Sequence, residues 1–179
     1  QLKGNYINLV TSTFLHGSWL HLLGNMWSLW LYGDNVEDSM GHFRFLLFYL
    51  LCGAISGYTH VLFNMHSKLP TIGASGAVAG VMGAYFILYP HAKIITLVPT
   101  FFILPMFIPI PAFIFLFFWF LSQVFSGTVN WFIGSMAGGV AWWGHIGGFI
   151  AGMLLQNLFR KRRYRVPTPR YPEWARRRR

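Results

Sequence analysis

The sequence predicts an all-α bundle of membrane-spanning helices, and three observations carry that prediction. Hydrophobic residues fill 55% of the 179 positions and charged residues 10%, with mean hydropathy +0.47. A soluble domain carries roughly 25% charged residues. The few charges leave four uncharged runs, at 4–33, 45–67, 69–92 and 94–159. Each is long enough for the roughly 20 apolar residues that a spanning helix needs. Finally, most of the net charge of +10 sits at one end, where ten basic residues and one acid, Glu173, follow residue 159. Content this apolar excludes a disordered chain. The single cysteine, Cys52, excludes a disulfide framework and a cysteine-based zinc site. A tail this basic also suits nucleic acid. Behind so apolar a segment it reads instead as a cytoplasmic anchor, and no nucleic-acid partner is expected.

The first three runs accommodate one helix each and the fourth accommodates two. The expected spans lie near 15–32, 43–63, 73–89, 110–126 and 138–159, making 1–159 a membrane domain and 160–179 a basic tail. Four prolines, Pro99, Pro105, Pro109 and Pro111, interrupt 99–111 and forbid a regular helix there. That stretch is expected to be a loop at the membrane surface, with Pro111 opening the fourth span. Asp34 and Asp38 are expected in a loop after the first span. The first run lacks a basic leader, and the chain starts at Gln1 rather than Met, so further sequence is expected before it.

Lys and Arg counts orient the bundle. With the tail inside, Arg44, Lys93 and the ten tail residues share the cytoplasmic side, against Lys3 and Lys68 outside. The expected setting is the plasma (inner) membrane. The first, third and fifth spans then start from the external side. Their starts carry the intramembrane polar residues: His16, His21 and Asn25, then Ser75, then His145. Such groups are costly in lipid and are functional candidates by default.

The third span opens TIGASGAVAG, where Gly76, Gly80 and Gly83 share a face. In the last span Gly148 and Gly152 follow His145 at three and seven residues. Small faces let two backbones approach closely in lipid. Alone, Ser75 fits one more small packing residue, and His145 fits an interhelical hydrogen bond. Together, on two closely packed helices, they fit a hydroxyl within reach of an imidazole, the arrangement of an activated nucleophile. His21 and Asn25, spaced i, i+4, share a face. They suit either an interhelical polar clamp or donors to a developing oxyanion. His16 is expected to point elsewhere and to order the loop entering the helix. His42, His60, His66 and His91 are expected near span ends, at the interface.

Absences narrow the chemistry. No His-Glu-x-x-His is present, which argues against a membrane zinc protease. The aspartates offer no pair on two spans, and no acid lies near Ser75 for a Ser-His-Asp triad. Serine chemistry here has to use a Ser–His pair. A transporter or metal permease built on His16, His21 and His145 would leave the Gly73-Ala74-Ser75-Gly76 box unexplained.

Over about residues 14–155 these features resemble the rhomboid intramembrane serine proteases. The resemblance rests on His16 with His21-x-x-x-Asn25, on Gly73-Ala74-Ser75-Gly76, and on His145-x-x-Gly148-x-x-x-Gly152, in order on alternate spans; Glu37 also fits. It implies Ser75 as nucleophile, His145 as general base, and Asn25, His21 and the Ser75 backbone N–H as the oxyanion site. His16, Gly73, Gly76, Gly148 and Gly152 would be structural supports. It implies single-span membrane proteins as substrates, the lipid bilayer as surroundings, and neither cofactor nor metal. The oligomeric state stays open. A relative that binds membrane helices without cutting them is the competing reading. The chain departs from the family twice. Five spans are visible where the family core has six, so the first is expected before this sequence. Ala79 stands where many relatives stack an aromatic on the histidine, so the ring is expected either to be held less tightly or to be held by Trp142 or Trp143. The Phe-rich fourth span is expected to be either lipid-facing surface or a movable wall, and 126–139 a loop capping the site.

Overall fold

A computed structural model describes residues 7–65, 72–98, 106–133 and 140–161. The fold is mostly helical. A short helix α1 (Asn8–Thr11) and a 3-10 turn (Ser12–Phe14) lead into α2 (Trp19–Met40) and α3 (His42–Phe63). Helix α4 (Ser75–Leu88) is followed by strands β1 (Lys93–Val98) and β2 (Met106–Pro111), then by α5 (Ala112–Ile133) and α6 (Trp142–Phe159). The segments His42–Phe63 and Ala112–Phe132 are long and apolar enough to cross a membrane; Ser75–Leu88 is apolar but shorter.

Several boundaries differ from the expected ones for identifiable reasons. Ser18, not residue 15, sets the start of α2: its backbone is extended and its side-chain oxygen accepts the His21 N–H, as an N-cap does. The helix then runs on to Met40, through the acids placed above in a loop. Tyr32, Val36 and Met40 form a buried stripe at i, i+4 and i+8, while Asp34 and Asp38 face outward. The acids therefore cost the buried face nothing. Gly41, at φ +86°, reverses the chain directly into α3.

The proline-rich stretch is not simply a loop. Residues 106–111 pair antiparallel with 93–98, Lys93 opposite Pro111 and Val98 opposite Met106; 99–105 lie outside the described residues. Both strands of a two-stranded ribbon are edges, so proline is tolerated where its missing N–H would face outward. The Ala112 N–H donates inward to Ala92 O. N–H direction alternates along a strand, so Pro109 and Pro111 face outward. The all-α expectation thus gains a β-hairpin. Helix α5 also continues seven residues past its expected end, into the segment expected to cap the site; 134–139 are outside the described residues, as is the tail from 162.

Helix α4 is the centre of the bundle, with every residue from Gly76 to Tyr85 buried. Contacts at both ends fix the helix directions. At one end His21 lies against Gly73 and Ser75 meets His145. At the other, the Tyr89 hydroxyl donates to Asn35 O and the Lys161 N–H to Ser39 O. Helices α2, α4 and α6 therefore run the same way. Helix α3 runs against them, since Cys52 meets Gly80 while Ser56 meets Gly76. Helix α5 does likewise: the Phe113 N–H bonds Pro90 O, and Gln123 reaches His145. The tightest seam is between α4 and α6. A Cβ on Gly148 would strike the Gly76 carbonyl, and one on Gly152 the Gly80 carbonyl. Backbone thus packs on backbone, as small-residue faces allow.

Candidate active site

Parallel packing of α2, α4 and α6 gathers their N-terminal ends, and the singled-out polar residues meet there. Ser75 is the first residue of α4. The turn before it depends on Gly73, whose φ of +127° is open to glycine and strained for other residues. Gly73 also leaves room for His21: a Cβ there would lie 2.6 Å from the imidazole Cε1 and 2.7 Å from Nε2. His16 is drawn in as well, correcting the expectation that it points away. Its ring meets that of His21 edge-on at 5.1 Å, and its Nε2 accepts the Ala74 N–H at 3.5 Å. Asn25 is buried one turn below His21, and its Nδ2 donates to the His21 backbone carbonyl at 3.0 Å. His60 departs from the interfacial expectation, since its Nδ1 is buried with no partner among the described residues.

The Gly-lined seam between α4 and α6 brings the two remaining residues into contact. His145 Nε2 lies 2.8 Å from Ser75 Oγ. A hydroxyl donating to an imidazole nitrogen at that distance has the geometry that an activated nucleophile requires. A cavity of about 30 Å³ adjoins them, lined in part by Ser12, Thr13, Ser56, Ser75 and His145. It has room for a water among hydroxyl partners.

Sequence reasoning missed what holds the imidazole. Gln123, buried on α5, places its Oε1 2.8 Å from His145 Nδ1. The Trp119 ring lies one turn earlier, 6.1 Å from the imidazole and inclined 32° to it. Of the two tryptophans expected in that role, Trp142 meets the ring edge-on at 6.3 Å, whereas Trp143 stacks on Phe63. One signal was available: the lone amide in the run AFIFLFFWFLSQVF, whose one other polar side chain is Ser122, is costly in lipid unless it has a partner.

The Rhomboid domain family matches residues 3–162. The chain is 28% identical over 158 residues to Rhomboid protein 1, mitochondrial, of Saccharomyces cerevisiae, covering 83% of this chain and 40% of that protein. It is 39% identical over 82 residues to Rhomboid protease GluP of Bacillus subtilis, covering 46% and 16%. To Presenilin-associated rhomboid-like protein A, mitochondrial, of Danio rerio it is 33% identical over 101 residues, covering 55% and 26%. The chain thus spans 40% or less of the length of these relatives. Because the family match extends across every helix from α1 to α6, apolar α3 and α5 included, this chain belongs to the rhomboid family of membrane proteins.

Proposed function

We propose that this chain is an intramembrane serine endopeptidase that hydrolyses peptide bonds in or near the spanning helices of single-span membrane proteins. The observation that carries the proposal is the 2.8 Å approach of His145 Nε2 to Ser75 Oγ. In the proposed reaction His145 Nε2 takes the hydroxyl proton as Ser75 Oγ bonds to the scissile carbonyl carbon. The oxyanion that forms is met by the Ser75 backbone N–H, with His21 and the second amide hydrogen of Asn25 as side-chain donors. The imidazolium then returns its proton to the departing amine. A water, deprotonated by His145 in turn, releases the acyl group and restores Ser75. The cavity beside the pair offers that water a place to wait.

The same reading takes α2 to α6 as five spans of a membrane domain over residues 1–159, with 160–179 as a cytoplasmic basic tail. The site then opens toward the external side of a plasma membrane. Exposed Phe113, Phe117, Phe118 and Phe125 on α5 supply a lipid-facing wall beside which a substrate helix arrives. No cofactor, metal or nucleic acid enters the mechanism.

The test is cleavage of a single-span model substrate by the full chain in proteoliposomes, alongside labelling by a serine-reactive fluorophosphonate. Cleavage and labelling are expected from wild type and are expected to vanish in Ser75→Ala and His145→Ala. Folded wild type that neither cleaves nor labels, yet retains the substrate helix, would replace this reading with that of a non-proteolytic helix-binding relative.

A further inference from the structure

We propose that Gln123 is a positioning residue for His145: its side-chain carbonyl selects the tautomer that leaves Nε2 free to accept the proton of Ser75. This rests on the protease reading above. The neighbours of the amide set which of its ends faces the ring. Gln123 Nε2 lies 3.3 Å from the Trp119 carbonyl oxygen and 3.0 Å from Ser122 Oγ. A backbone carbonyl only accepts, so it demands the NH₂ end. The Ser122 hydroxyl already donates to that same carbonyl, at 2.6 Å, and is left to accept from Gln123. Flipping the amide would set its oxygen against the Trp119 oxygen, two acceptors facing each other. The network therefore fixes Oε1 toward His145 Nδ1.

That orientation decides the protons on the imidazole. An acceptor at Nδ1 requires Nδ1 to carry the hydrogen. In the neutral ring Nε2 then holds a lone pair, and it is Nε2 that faces Ser75 Oγ. The opposite tautomer would aim an N–H at the nucleophile and leave it inactive. When the ring becomes cationic, Nδ1 keeps its partner, so proton transfer needs no rearrangement around Gln123. The residue is held for this task. It is 6% exposed, tied to its own helix through Trp119 and Ser122, and one turn from Trp119, whose ring is inclined 32° to the imidazole.

Two substitutions in the full chain separate positioning from packing. Gln123→Met keeps the length of the side chain without an acceptor, and Gln123→Glu keeps an oxygen acceptor. We expect Gln123→Met to lower kcat by about tenfold or more, within the range general-base catalysis supplies. KM should stay within about twofold, because substrate binding is untouched. Gln123→Glu, buried without a cation and therefore neutral, keeps a carbonyl acceptor for Nδ1 while its hydroxyl donates to Trp119 O, and should recover most of the loss. A second readout does not depend on turnover: ¹⁵N spectra of histidine-labelled protein, with His145 assigned by difference against His145→Ala. Wild type is expected to show protonated Nδ1 and unprotonated Nε2, and Gln123→Met a mixture of both tautomers. The proposal is overturned if Gln123→Met keeps wild-type kcat and the wild-type ¹⁵N signature, or if Gln123→Glu is no better than Gln123→Met. Should wild type itself neither cleave nor label, the protease reading fails, while the ¹⁵N spectra still decide whether Gln123 sets the tautomer.

Discussion

Replacing Gly152 by alanine tests whether the α4–α6 seam sets the geometry of the site. The added Cβ would lie 2.6 Å from the carbonyl carbon of Gly80 and 2.8 Å from its Cα, with the carbonyl oxygen nearer still. These are backbone atoms inside a helix, so no side-chain rotation relieves the overlap. Ordinary contact begins near 3.4 Å, so α4 and α6 must part by about 0.8 Å or more at this level. Overpacking of this kind costs about 1–3 kcal/mol. Each kcal/mol lowers Tm by about 2–4 °C in a chain of this size. If α6 moves as a rigid rod, the 2.8 Å contact between His145 and Ser75 lengthens to about 3.6 Å, beyond hydrogen-bond reach. Thermal unfolding in micelles should therefore show a lowered Tm, and fluorophosphonate labelling should slow in the fraction that remains folded. Gly24→Ala is the matched control. It also lies inside a helix, but a Cβ there meets nothing within 4 Å, and helix propensity favours alanine by about 1 kcal/mol. Its Tm should hold or rise. A Gly152→Ala protein with wild-type Tm and labelling rate would refute the backbone contact and the reasoning built on it.

Two further substitutions and one chemical probe test other parts of the fold. Gly73→Ala combines a φ of +127° with overlap on the His21 ring. It should cost about 1–3 kcal/mol in backbone strain and abolish labelling while the helical circular dichroism persists; undiminished labelling would separate His21 from the site. Tyr89→Phe removes the hydroxyl bond to Asn35 O at the far end of α4. It should lower stability by about 1 kcal/mol and leave the labelling rate of folded protein unchanged. Cys52 is fully buried against Gly80, so a maleimide should modify it only after unfolding; rapid modification of folded protein would mean that the α3–α4 contact opens.

How much of this was legible in the sequence depended on whether a residue's signal was local. Ser75 and His145 each sit in a row of glycines at helical spacing, and two glycine faces in lipid have one obvious use. Their meeting was therefore readable before any coordinates. His16 was harder, because its partner His21 lies across a capped turn, and only the Ser18 cap shows that the chain folds back there. The acids of α2 mislead because a charge after an apolar run resembles the end of a span. A helix end is set by capping geometry, here Gly41, and not by the first charge on an outward face. The hairpin misled for a related reason. Proline excludes a helix interior, but it excludes a strand only where the N–H is needed, and the outward parity of Pro109 and Pro111 is invisible without a partner strand. Gln123 was missed because its partner is 22 residues away on another helix, and the phenylalanines around it read as lipid-facing surface.

The scarcity of acids and the use of Gln123 are two sides of one physical constraint. Before the tail the acids are Asp34, Glu37 and Asp38, all in the last two turns of α2, at the end of the bundle away from Ser75. A carboxylate beside His145 would hold the imidazole in the same tautomer. It would also bury a full charge among apolar helices, at about 3 kcal/mol by insertion scales, with no cation among the described residues of α4, α5 or α6 near enough to offset it. A glutamine carbonyl makes the same hydrogen bond without the charge. What it gives up is the Coulombic support that an ionised carboxylate lends the imidazolium. In the proposed mechanism that support matters only while His145 is cationic, and the oxyanion formed at the same moment supplies a counter-charge within a few ångströms. Charge therefore arises in pairs at this site, which is the arrangement a low-dielectric interior penalises least.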